Sequence, residues 1–260
     1  MDNNTYHSTP ALRLRLMPAL WLAALLVLAA CSAKLVNAPD TKSDGRESAQ
    51  SGNDVSQKKQ AFFVQMKPLV EQENARTLEQ RSALQQMSSS KQLSWMEKRT
   101  VRLLAEEYRM EVGDQPDQAL VQALLVRVDA VPVEMALVQA ANESAWGESR
   151  FANEGNNYFG QWCYSKGCGI VPEQRAPGAT HEVRRFDDAQ ESVRAYMNNI
   201  NTTRAYESFR KLRMEQRKRN QPLDAEHLAL GLKSYSERGM AYVKIIQAMI
   251  RSNRALIASS

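Results

Sequence analysis

The sequence predicts a mainly α-helical chain (an α+β class dominated by helices) with a small β-hairpin lobe set late in the chain. Three observations carry this. Apolar residues recur at three- and four-residue steps through several segments after Lys58, the signature of helices with one buried face. The stretch from Gly155 to Gly169 is rich in Gly, Asn and aromatics and loses that period, so it reads as a loop. Pro177-Gly178 then lies between two short runs, Gly169 to Arg175 and Thr180 to Phe186, that carry Val, Ile, Thr and Phe, which is a hairpin signal. A length of 260 residues suits one domain with extensions, or two small domains.

Residues 1–30 read as a signal peptide. Arg13 and Arg15 precede the apolar run Met17 to Ala30, which is short for a bilayer span but right for a signal core. It ends in Leu28-Ala29-Ala30-Cys31, which resembles a bacterial lipobox. That resemblance implies cleavage before Cys31 and lipid attachment to it. Ser32, where an aspartate would retain the protein at the inner membrane, then implies an outer-membrane lipoprotein facing the periplasm. An ordinary secretory signal with an incidental cysteine is the alternative. Residues 31–57 are expected to be a lipidated N-terminus and a flexible tether, because Lys34 to Gln57 is dominated by Asn, Asp, Ser, Gly, Lys and Glu.

Residues 58–130 form a helical region. Phe62, Phe63, Met66, Leu69 and Val70 mark a first helix, and Ser88-Ser89-Ser90 a break and possible cap. A second helix runs through Leu93, Met96, Val101 and Leu104, and a third lies within Asp114 to Val128. This half reads as framework.

The helix opening at Val131 differs. Pro132 suits a first helical position, and Glu134 places negative charge where the helix dipole favours it. Val133, Ala136, Leu137, Ala140 and Ala141 form a stripe, and Met135 and Val138 widen it, so the helix should be buried almost all round. Gln139, Asn142 and Glu143 share one face near its C-terminal end. A carboxyl in that setting is partly desolvated, which favours the proton-bearing form that a general acid needs. A solvated helix edge is the plainer reading.

After the hairpin, Asp188-Ala189-Gln190-Glu191 forms a capping box for a helix through Val193, Tyr196, Met197 and Ile200. Tyr206 to Arg219 is a basic helix, read as a solvated face. Asp224 caps a segment expected to run from Ala225 to Tyr235, and Met240 to Ile250 is the last helix. If Cys31 takes lipid, Cys163 and Cys168 remain as an even pair in an exported chain, which suggests a disulfide across the loop. Zinc is the alternative, but His7, His181 and His227 give no ligand spacing. No metal, phosphate or nucleotide motif appears, so no cofactor is expected. Export argues against nucleic acid as a partner despite a pI near 9.1.

Glu143-Ser144-Ala145-Trp146-Gly147, followed by Asn157-Tyr158-Phe159-Gly160, resembles the signature of the N-acetylglucosaminidase family related to autolysins and flagellar glucosaminidases. The run NNYFGQWC, then GCG, VP, an arginine and HEVR, is similar to its Bax-type branch. The resemblance covers Val131 to Arg254. It implies a lysozyme-like domain over residues 131–254 whose groove takes cell-wall peptidoglycan and cleaves after N-acetylglucosamine. It makes Glu143 the catalytic acid and Glu173 the second carboxylate, with Glu182 as the rival. Gln139, Trp146, Tyr158, Phe159, Trp162 and Tyr235 become candidate substrate-binding residues. Tyr158 and Trp162 suit stacking on sugar faces, whereas Phe159 equally suits a small aromatic core. A lytic transglycosylase on a related scaffold, and a wall-binding lipoprotein without turnover, are the alternatives.

Overall fold

The computed structural model describes residues 44–260 apart from Gln174, Ala176 and Pro177. The expected signal peptide, Cys31 and residues 31–43 of the tether lie outside the described residues.

The first helix, α1 (Asp44–Ser88), begins earlier than expected, so the span from Asp44 to Gln57 is helical rather than coil. Once the packed turns around Phe62 exist, each added turn costs little, because the expensive nucleus is already formed. Phe62, Phe63, Met66 and Val70 enter the main core. The far end of α1 contributes Leu84 and Met87 to a second, smaller core. There α1 meets α2 (Trp95–Glu107) and α3 (Gln118–Arg127) through Val101, Leu104, Tyr108, Val121 and Leu124. The cap of α2 is Ser94, not the Ser88–Ser90 break: Ser94 and Glu97 form a reciprocal capping box.

At the centre is α4 (Val133–Ser144), packed against α1 and against α9 (Met240–Ser259). Met135 to Ala141 are all buried, as the all-round apolar pattern predicts. Pro132 is the N-cap rather than the first helical residue. After α4 come α5 (Arg150–Gly155), α6 (Ala189–Thr202), which packs on α1, α7 (Glu207–Lys218), which packs on α3, and α8 (Ala225–Leu228), which packs on α4 and α9. The segment expected to be helical from Ala225 to Tyr235 shortens to α8 and a 3-10 turn, Ala229–Leu232. Gly231 explains this, because it rests directly on the Phe209 backbone of α7, where a Cβ has no room.

The basic helix α7 corrects the expectation of a solvated face. Arg210, Arg213 and Gln216 are buried. Arg213 donates to the carbonyls of Val126, Arg127, Asp129 and Ala130 and to Asn201 Oδ1, at 2.7–3.2 Å. A guanidinium fork thus satisfies carbonyls that the end of α3 leaves unpaired.

The β lobe is a three-stranded antiparallel sheet in the order β1 (Trp162–Cys163), β3 (Glu182–Arg184), β2 (Gly169–Ile170). The expected hairpin is β2 with β3, and β1 adds a strand on the other side of β3. Cys163 and Cys168 are disulfide-bonded, with Cα atoms 6.2 Å apart. A mainly helical, lysozyme-like fold with a small β lobe is therefore the architecture of the described chain.

Candidate active site

Glu143 sits in the last turn of α4, where the helix meets solvent, and is half-buried. Its Oε1 accepts from Tyr242 Oη at 2.9 Å and from Asn142 Nδ2 at 3.0 Å. Tyr242 is itself held from behind: Gln139 Nε2 donates to its oxygen at 2.9 Å, and Tyr196 Oη donates to Gln139 Oε1 at 2.6 Å. The result is a one-way chain of donors, Tyr196 to Gln139 to Tyr242 to Glu143. Burial raises the Tyr242 phenol far above its ordinary range, and the Glu143 charge adds to this. Burial also raises Tyr196, followed by the influence of Tyr206 and Glu143. Both therefore remain protonated donors at any working pH.

The other oxygen, Oε2, takes no hydrogen bond among the described residues. It faces Gly160, where an added Cβ would stand 3.7 Å away. Gly160 has a φ of +63°, in the region that favours glycine, so the chain passes close to Glu143 without covering it.

Glu143 opens into a groove of about 910 Å³. It is the only carboxyl among the lining residues; the others that matter for chemistry are Trp162, Tyr164, Tyr206, Tyr235, Asn199 and the cations Arg109 and Arg184. Phe159 forms part of the wall and stacks on Tyr196, with ring centres 4.0 Å apart and planes within 9°. Tyr235 lies parallel to Tyr242 at 5.3 Å and donates to the Phe159 carbonyl at 3.1 Å. Trp162 is 55% exposed and stacks on His181 at 4.3 Å. An amphipathic ring held flat beside a polar cleft suits a sugar face.

Several expected site residues lie elsewhere. Gln139 is fully buried and reaches the groove only through Tyr242. Trp146 and Tyr158 line a different hollow of about 300 Å³ beside α1. Trp146 packs edge-on against Phe62 and Phe63 at 5.8 and 5.4 Å, and Tyr158 Oη accepts from Gln65 at 3.4 Å. The cause is backbone shape. Ala145, Trp146 and Gly147 follow α4 with φ of +52°, +61° and +82°, which swings Trp146 back to α1. Left-handed backbone costs a non-glycine residue on the order of 1–2 kcal/mol, so packing and the bond from Gly147 N to Ser144 Oγ must hold it there.

The two rival carboxylates separate clearly. Glu182 is buried, and its carboxylate accepts from the amides of Gly167 and Gly169 at 3.0 and 2.8 Å. Those bonds hold it below the usual carboxylate range. Its place in the loop is structural. Glu173 is 83% exposed, 3.9 Å from Arg150, and does not line the groove. Sequence reasoning missed Tyr242, Tyr196 and Arg109. A tyrosine within the apolar stripe of the last helix was the only signal for Tyr242.

A family model described as mannosyl-glycoprotein endo-beta-N-acetylglucosaminidase, the Glucosaminidase family, matches residues 118–255. The chain belongs to the glucosaminidase family. Among curated proteins it is similar to Protein bax of Escherichia coli (strain K12), 34% identical over 202 residues, which is 78% of this chain and 72% of that relative. No solved structure matches it. The matched glucosaminidase stretch contains Glu143 and every partner in the donor chain, while α1, α2 and Arg109 precede it.

Proposed function

We propose that this glucosaminidase-family protein is a peptidoglycan hydrolase, an endo-β-N-acetylglucosaminidase that cleaves the β-1,4 bond after N-acetylglucosamine. The observation that carries the reading is a single carboxyl, Glu143, fixed at one oxygen and open at the other within a groove of aromatic and polar side chains. Glu143 Oε2 protonates the leaving glycosidic oxygen, while Tyr242 and Asn142 set the plane of the carboxyl. With no second carboxyl lining the groove among the described residues, the substrate's own acetamido group assists the departure of the leaving group, an accepted route for N-acetyl sugars. Glu173 takes that part only if the β lobe swings over the bound sugar, a closure of the kind many enzymes make on binding.

The test incubates the protein with purified sacculi and identifies the released ends. Reducing N-acetylglucosamine ends support the reading; anhydromuramyl ends mean a lytic transglycosylase, and binding without release means a wall-binding protein. Glu143→Gln should lose about 10²–10⁴ in rate while remaining folded, because the amide has no acidic proton to give. Glu173→Gln should be nearly silent if the acetamido group assists, and should lower kcat if closure brings Glu173 in.

A further inference from the structure

Arg109 lines the groove from outside the stretch matched by the family model, in the turn that ends α2. Its φ is +53°. The amide of Met110 bonds back to Ala105 at 2.7 Å, so Arg109 occupies the left-handed closing position of a helix end, where glycine or asparagine is the usual choice. An arginine there costs backbone energy, and four hydrogen bonds hold the turn in place. Arg127 Nη1 donates to the carbonyls of Tyr108 and Arg109 at 2.7 and 2.9 Å. Asn198 Nδ2 donates to the Glu107 carbonyl at 2.9 Å, and buried Tyr108 donates to Gln80 Oε1 at 2.8 Å. Elements α1, α3 and α6 thus tie down a strained turn whose exposed side chain borders the groove. Strain retained under such restraint points to a use for the side chain.

Charge narrows that use. The groove has two cations, but Arg184 is already engaged by Glu191 at 3.3 Å and lies over the Phe186 ring at 4.7 Å. Arg109 has no carboxylate partner among the described residues. The N-acetylated sugar rings offer a guanidinium only neutral hydroxyl and amide oxygens, whereas the peptide stems carried by muramyl residues bear carboxylates, which match its planar fork.

We infer that Arg109 binds a carboxylate of the peptide stem on glycan lying in the groove, and so makes the protein prefer chains whose stem carboxylates are free over chains in which they are amidated. This rests on the peptidoglycan reading above. The test is equilibrium binding of soluble stem-bearing glycan chains, with the stem carboxylates free or amidated, to the full-length protein carrying Glu143→Gln to prevent turnover. Chains with free stem carboxylates should bind about two- to fivefold more tightly, the range of one partly exposed ion pair, with the advantage shrinking at high salt. Adding Arg109→Asn, which tolerates the left-handed backbone, should bring the ratio to about one, and Arg109→Lys should recover part of it. An unchanged ratio in Arg109→Asn, equal binding of both chains by the parent, or no binding of either overturns the inference. Absence of hydrolysis by the protein with Glu143 intact would instead sink the hydrolase reading, with the binding ratio still deciding the role of Arg109.

Discussion

Tyr242 determines which oxygen of Glu143 is free. The residue was illegible in the sequence because its value depends on a partner 99 positions away. Glu143 stood out through the run Glu143-Ser144-Ala145-Trp146-Gly147, which resembles the glucosaminidase signature; a carboxyl at a helix end read alone is a solvated edge. If Tyr242 holds the carboxyl for proton delivery, Tyr242→Phe should lower the melting temperature, because buried Gln139 Nε2 loses its acceptor, and should lower kcat about tenfold with KM little changed. That is the loss expected from one hydrogen bond to a reacting group, worth roughly 1.5 kcal/mol. Steady-state kinetics on soluble glycan, with thermal unfolding of the same variant, reads both. A lower melting temperature with kcat unchanged would make Tyr242 a core residue only. Trp146 teaches the reverse lesson. Its motif was plain, yet its side chain turns away from the groove, because the left-handed run after α4 leaves only Gly147 as a trace in the sequence.

At the scale of elements, α7 joins the start of α4 to the end of α3 through Asp129. Arg217 grips the carboxylate at 2.8 and 3.1 Å, and Arg81 and Arg213 lie at 3.5 and 3.8 Å. Burial alone would raise this carboxyl, but the Arg217 hydrogen bond and the arginine charges outweigh it and hold it below its usual range. A depressed folded-state value gives stability that is complete above the unfolded aspartate's pKa, about 4, and is lost as pH falls through the lower folded value. Acidification below about pH 4 should therefore weaken the fold. Asp129→Asn should destabilise it by about 3–5 kcal/mol at neutral pH, since buried arginines lose their counter-charge, and should flatten the acid dependence. Denaturant unfolding across pH 2.5–7 measures both, the window being set by those pKa values. A variant as stable as the parent would show the cluster to be dispensable. The periodicity of α7 revealed a helix, but burial of its arginines depends on carbonyls supplied by α3.

At the scale of the whole molecule, α1 runs through both cores, so the helices ahead of the glucosaminidase stretch and the site itself share one framework. The lipobox-like Leu28-Ala29-Ala30-Cys31 motif leads us to propose that this framework is tethered to a membrane by lipid at Cys31. Cys31→Ser should abolish labelling by a fatty-acid probe and move the protein to the soluble fraction; an unlabelled parent that fractionates identically would defeat the proposal. The sequence by itself determined the helical class, the burial of α4 and the β2–β3 hairpin, and Glu143 was singled out by the motif resemblance. The class, the burial and the hairpin follow from local periodicity and a turn signal. Only the tertiary structure decided which oxygen Glu143 presents, that Glu182 serves the loop, that Trp146 and Tyr158 face α1, and that Arg109 reaches the groove. These depend on backbone hand and on groups brought together from distant parts of the chain, and a one-dimensional pattern holds neither.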